Sequence, residues 1–213
     1  GKSVLLRSIV GLNRPAAGTI KVFGTDVLNA TDAEREAISR RWGVLFQQGA
    51  LFSSMTVQEN VETPMREMAH IDPDLRPELA RLKVAMSGLP ANACAKYPSE
   101  LSGGMQKRAG LARALALDPD IVFLDEPTAG LDPIGATQFD ELIKQLKESL
   151  GLTVFMVTHD LDSLHAICDR VAVLAEKKVL VTGTMADMLK VDHPWVKEYF
   201  HGPRARAALS TSE

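Results

Sequence analysis

The chain has 213 residues, 46% of them hydrophobic and 24% charged, with a formal net charge of −3. That is the balance of a globular domain with a sizeable core, and it supplies no overall basic field for nucleic acid. No run approaches the ~18 consecutive apolar residues of a membrane-spanning helix, so any membrane association is expected to go through a partner.

Gly1-Lys2-Ser3 opens the chain, and residues 4–10 follow at once with a helical apolar pattern. A chain that begins inside a helix, without an initiator Met or a leader, is expected to be a piece of a longer protein. Residues 19–23, between Gly18 and Gly24, alternate as a half-exposed strand. Residues 43–46 form a short apolar run that gives way to Gln47-Gln48-Gly49, a buried strand leading into a loop. Residues 65–87 are helical in character, interrupted at Asp72-Pro73 and Arg76-Pro77. Cys94 follows, and with Cys168 it completes a pair that lacks C-x-x-C spacing. Both cysteines read as small buried hydrophobes in a reducing, cytosolic compartment. Residues 105–117 are rich in Ala, Leu and Arg, good helix formers. Residues 121–124 are continuously apolar and run into Asp125-Glu126-Pro127. Residues 136–150 place Phe139, Leu142, Ile143 and Leu146 on one helical face. Residues 153–158 repeat the apolar strand pattern and end in His159-Asp160. Residues 202–213 read as a loose tail. Strands apolar throughout are covered on both faces, which predicts an α/β fold with a mostly parallel sheet.

In such sheets ligands sit beyond the carboxyl ends of the strands. Three strands here end in Gln47, in Asp125-Glu126 and in His159, groups suited to a metal, a water and a phosphate. Gly1-Lys2-Ser3 before a helix holds the last three positions of the phosphate loop G-x-x-x-x-G-K-[ST], in which Lys neutralises phosphate charge and Ser ligates Mg²⁺. Asp125 at a strand end can hold Mg²⁺, and the adjacent Glu126 can polarise a water. Leu101-Ser102-Gly103-Gly104-Met105-Gln106 opens a helix: Ser102 can cap it, and the two glycines let backbone N–H groups approach an anion closely.

The order of these motifs resembles the nucleotide-binding domain of ABC transporters. Lys2-Ser3 looks like the end of Walker A, Gln47 the Q-loop, Leu101 to Met105 the signature, and Phe123 to Pro127 Walker B. Gly130-Leu131-Asp132-Pro133 looks like the D-loop and Thr158-His159-Asp160 the H-loop. The match runs from Gly1 to about Lys190. It implies a P-loop NTPase (RecA-like) core at 1–64 and 113–192, an inserted helical subdomain at 65–112 carrying the signature, and a C-terminal tail at 193–213. The family's first strand, its adenine-stacking aromatic and the first half of its phosphate loop do not appear in this sequence. The sequence as it stands is therefore expected to bind ATP weakly and turn it over negligibly.

The resemblance also implies roles. Gly1, Lys2 and Ser3 would hold phosphate, and Ser3, Gln47 and Asp125 would hold Mg²⁺. Glu126 would be the general base, while Gln47 and His159 would contact the γ-phosphate. Ser102, Gly103 and Gly104 would serve the nucleotide of a second copy, with Asp132 lining that interface. Residues 46–61, residues 97–100, Asp132-Pro133-Ile134-Gly135 and residues 196–203 resemble the ATPases of Mla/Mce-type lipid transport. That implies a permease, an Mce-type lipid-binding protein, an accessory subunit and a place on the cytoplasmic face of the inner membrane. Polar amino-acid import is the alternative. Leu51, Phe52 and Met55 either fill a docking groove for the permease or join the core of the helical subdomain.

Overall fold

A computed structural model describes residues 1–201. Helix α1 (Lys2–Ile9) begins the chain, followed by the small hairpin β1 (Lys21–Val22) and β2 (Thr25–Asp26). Helix α2 (Asp32–Ser39) is opened by a Thr31–Glu34 capping box and leads to β3 (Trp42–Leu45). Helices α3 (Val57–Glu67), α4 (Arg76–Met86) and α5 (Gly103–Ala114) pack together before β4 (Ile121–Asp125). Then come α6 (Pro133–Leu150), β5 (Thr153–Val157), α7 (Leu161–Ile167), β6 (Val171–Ala175), β7 (Lys178–Gly183), α8 (Met185–Met188) and α9 (Pro194–His201).

The expected parallel sheet is present, with order β3-β4-β5 and register Leu45↔Leu124 and Asp125↔Val157. Successive β4 residues point to opposite faces. Val122 and Leu124 join Leu45, Leu111, Phe139 and Ile143 in one core cluster. Phe123 packs on the other face with Leu6 and Val157, edge-on to Trp42 at 5.7 Å. Both faces are covered, which is why the run lacks alternation. A separate cluster of Val57, Val61, Met65, Ala80, Val84, Ala109 and Ala112 holds the three helices between β3 and β4.

Several elements differ from their sequence patterns. The strand expected at 19–23 shortens to two residues because Phe23 and Gly24 turn back at φ 51° and 84° to make a hairpin. Helix α3 starts at Val57, earlier than expected, because Thr56 and Glu59 form a capping box. Pro77 does not interrupt a helix but lies in the first turn of α4, where its missing N–H costs nothing. Strands β6 and β7 were not separated out by the sequence. Just after residue 193, where a tail was expected to begin, the chain forms α9, whose Val196 and Phe200 are buried against Val171, Val173 and Met188. The expected loose segment 202–213 lies outside the described residues.

The edge of β5 away from β4 pairs with no strand among the described residues. A cavity of about 570 Å³ lies between it and β6, bordered also by Lys2, Leu5 and Tyr199.

Candidate active site

Ser3 lies in the first turn of α1, and Asp125, 1% exposed, is the last residue of β4. The Ser3 hydroxyl donates to Asp125 Oδ1 at 2.7 Å, so the start of α1 and the end of β4 meet directly. Beyond Asp125 the chain turns sharply, with Glu126 in the left-handed region at φ 48°. A non-glycine residue there costs energy and persists only where its surroundings hold it. Three bonds do so: the Glu126 N–H donates to the Val157 carbonyl at 2.8 Å, and the Ala129 N–H and Lys107 Nζ each donate to the Glu126 carbonyl at 3.1 Å. Lys107 is only 6% exposed. Burial lowers its pKa, and the charges of Glu126 and Asp125 oppose that shift.

Glu126 Oε2 lies 2.7 Å from His159 Nδ1, which as an N–H donates to the carboxylate. The histidine side chain is 71% exposed and the glutamate only 13%, so the imidazole projects outward from a largely covered carboxylate. Gln47 follows β3 by two residues. The β3–β4 register sets it beside Glu126 at the same end of the sheet, exposed to solvent. Arg113 of α5 fixes the loop after it by donating to the carbonyls of Gly49 at 3.0 Å and Ala50 at 2.8 Å.

Ser102, Gly103 and Gly104, expected to form the signature, stand at the start of α5, with Ser102 and Gly103 exposed. The Ser102 hydroxyl caps the helix by accepting from the Met105 N–H at 3.3 Å. Gly104 faces Leu131, to which an added Cβ would come within 3.7 Å. Asp132 caps α6, accepting from the Gly135 N–H at 2.9 Å. The structure thus gathers Ser3, Gln47, Asp125, Glu126 and His159 at one end of the sheet. Ser102, Gly103 and Asp132 make no hydrogen bond to that group and lie open to solvent. Leu51 packs against the helical cluster, whereas Phe52 is exposed beneath the Arg113 guanidinium.

Four residues of this region were given no site role by the sequence: Lys107 and Arg113, Tyr199, whose hydroxyl donates to the His159 carbonyl at 2.6 Å, and Asp140. Asp140 sits behind the site on α6, where it accepts from the Ser163 hydroxyl at 2.7 Å. Ser163 lies 3.4 Å from Thr128, which in turn reaches Asp160 beside His159. Burial pushes the Asp140 pKa up to about 6; the Ser163 hydrogen bond opposes the shift, while Asp160 and Asp162 add to it.

The donor set fits Mg²⁺. Among the described residues no group of three or more His, Cys, Asp or Glu side chains could cage a metal. A hydroxyl and one buried carboxylate meet instead, both hard oxygen donors, which suits an ion that keeps waters and shares phosphate oxygens.

An open parallel sheet that sets a serine, two acids and a histidine at its carboxyl end, beside a helix begun by Gly-Lys-Ser, defines a P-loop nucleotide-binding protein. Within that class, the chain belongs to the ABC transporter family, whose model matches residues 1–129. It is 39% identical over 204 residues to the probable ribonucleotide transport ATP-binding protein mkl of Mycobacterium tuberculosis, covering 96% of this chain and 56% of that protein. The chain therefore spans about half the length of the mycobacterial relatives. It is 40% identical over 202 residues to the intermembrane phospholipid transport system ATP-binding protein MlaF of Haemophilus influenzae, covering 95% of this chain and 76% of that one. The methionine import ATP-binding protein MetN of Bifidobacterium longum is 36% identical over 200 residues, 94% of this chain and 49% of that one. Among solved structures, a dimeric ATP-binding cassette in a post-hydrolysis state with ADP and Pi superposes with a TM-score of 0.78. It is 32% identical, with 86% of this chain and 80% of that chain covered.

Proposed function

We propose that this chain is the ATP-hydrolysing part of a transporter subunit that energises phospholipid movement through a membrane permease of the Mla/Mce type. The observation that carries the hydrolytic part is the Glu126–His159 pair, one residue on from the Ser3–Asp125 contact. Glu126 is the general base: its carboxylate, largely covered, takes a proton from the attacking water. His159 holds that carboxylate through Nδ1 and turns its other nitrogen toward the γ-phosphate, which Gln47 also senses. Gly1 and Lys2 belong to the phosphate cradle, and Ser3, Gln47 and Asp125 hold Mg²⁺, which when bound offsets the charge developing on the phosphate oxygens. Ser102, Gly103 and Gly104 bind the nucleotide of a second copy, with Asp132 at the shared interface. The chain divides into a core, a helical subdomain that takes in the whole of α3 from Val57 where 65–112 was expected, and a C-terminal segment from 193.

No helix among the described residues is long and apolar enough to cross a membrane, and the proposed place is peripheral, on the cytoplasmic face of the inner membrane through the permease. Similarity to MlaF supports the lipid reading, with an Mce-type protein and a small accessory subunit as further partners. Similarity to MetN supports the second reading, import of an amino acid or another small solute.

Replacing Glu126 by Gln in the intact protein is expected to lower ATP hydrolysis at least ~10²-fold, the scale of a lost general base. An unchanged rate would refute the hydrolytic assignment. Isolation of the protein from its native membranes in mild detergent should bring down a permease, an Mce-type protein and phospholipid. Recovery of an amino-acid permease with a soluble binding protein would instead establish the second reading.

A further inference from the structure

The structure assigns Tyr199 as a positioning residue for His159: the C-terminal helix α9 acts as a latch that fixes the backbone beneath the imidazole. This rests on the hydrolytic reading of Glu126 and His159 given above.

The Tyr199 hydroxyl donates to the His159 carbonyl at 2.6 Å across 40 residues of sequence. That carbonyl lies one residue before Asp160, the cap of α7, and so falls outside the helix's own hydrogen-bond ladder. The bond fixes the peptide plane joining His159 to Asp160. With it fixed, the direction in which the imidazole leaves the backbone is set. The imidazole needs such support: most of its surface is in solvent, and among the described residues its one side-chain partner is Glu126.

The donor is itself held firmly. Val196 and Phe200, on the same helix, are 0% and 2% exposed against the β6–β7 hairpin and Met188. Trp195 stacks on the Tyr199 ring at 5.0 Å with 10° between planes, and Phe200 meets it edge-on at 5.1 Å. A ring gripped on two sides places its hydroxyl with little freedom, which is what a supporting group around a reactive side chain requires. Burial, with Asp160 and Glu126 adding to it, raises the phenol pKa and keeps the hydroxyl a donor. Trp195 remains 43% exposed, so a contact made there is one ring away from the latch.

Tyr199→Phe in the intact protein removes the hydroxyl and leaves the packing. The expected result is a fall in kcat for ATP of about threefold to tenfold, the rate equivalent of one ordinary hydrogen bond. KM for ATP should stay near its wild-type value, because phosphate contacts do not change, and the melting temperature should fall by no more than a few degrees, the cost of one hydrogen bond with the ring packing kept. An unchanged kcat, whatever the melting temperature does, would overturn the latch. So would a change confined to KM, or a fall in kcat matched by an equal loss of folded protein in circular dichroism. Glu126→Gln is run alongside: if it leaves the rate intact, the hydrolytic reading fails, whereas its normal collapse beside a wild-type Tyr199→Phe condemns the latch alone.

Discussion

Asp140 carries a carboxyl into a site where one of its oxygens, Oδ1, finds no partner among the described residues and the other accepts from Ser163. Its folded pKa is raised from 3.8 to about 6, so the fold favours the protonated form. The stabilisation is then complete below about pH 4 and is lost as pH rises through about 6, a difference of up to about 3 kcal/mol. Asp140→Asn keeps an acceptor for Ser163 and cannot ionise. The stability of the variant relative to wild type, from urea melts across pH 4–7, should rise with pH through that window. A constant difference would show that Asp140 does not titrate there. Lys107 makes the complementary case, a buried ammonium kept in place by two carboxylates and the Glu126 carbonyl. None of these side chains was visible in a local pattern. Lys107 reaches its partner across 19 residues, Asp140 across 23 and Tyr199 across 40, and each one by itself looks like an ordinary helix residue.

The elements that were legible are those whose environment is uniform along their length. Strands β4 and β5 read as strands because both faces meet apolar partners, and α6 read as a helix because Phe139, Ile143 and Leu146 share one buried face. Helix α3 was harder to see, since its first two turns hold Gln58, Glu59, Asn60 and Glu62 among few apolar positions. What announces its start is a cap, not a period. The seat of α5 on β3 was also hidden, because it depends on the absence of a side chain. A Cβ on Gly43 would fall 2.0 Å from the Ala114 carbonyl oxygen, a backbone atom that no rotamer change can move aside. Gly43→Ala should therefore destabilise the fold by about 3 kcal/mol, the upper range for overpacking, seen as a lower urea midpoint. A loss under about 0.5 kcal/mol, the scale of a neutral surface change, would show that α5 shifts freely.

At the scale of the whole molecule, the chemistry is divided. Acids, serine and histidine gather at the end of the sheet, while Ser102, Gly103 and Asp132 face solvent. If the two halves of a site come from two copies, specific ATPase activity should fall as the protein is diluted. A rate that stays first order in protein down to nanomolar concentration would exclude a shared site. Between the two halves runs α5. It gives Ala109 and Ala112 to the helical cluster and Leu111 and Ala114 to the sheet cluster. Its contacts with β3 and with the loop after Gln47 run through glycine: Gly43 under Ala114, and Gly110 against Gly49. In mechanical terms α5 is a shaft with metal-to-metal bearings at Gly43 and Gly49. Rotamers take up little of its travel there, so a push on its first turn arrives at the loop after Gln47 with little loss of stroke, whereas Glu126 receives it through the longer linkage of the Lys107 side chain.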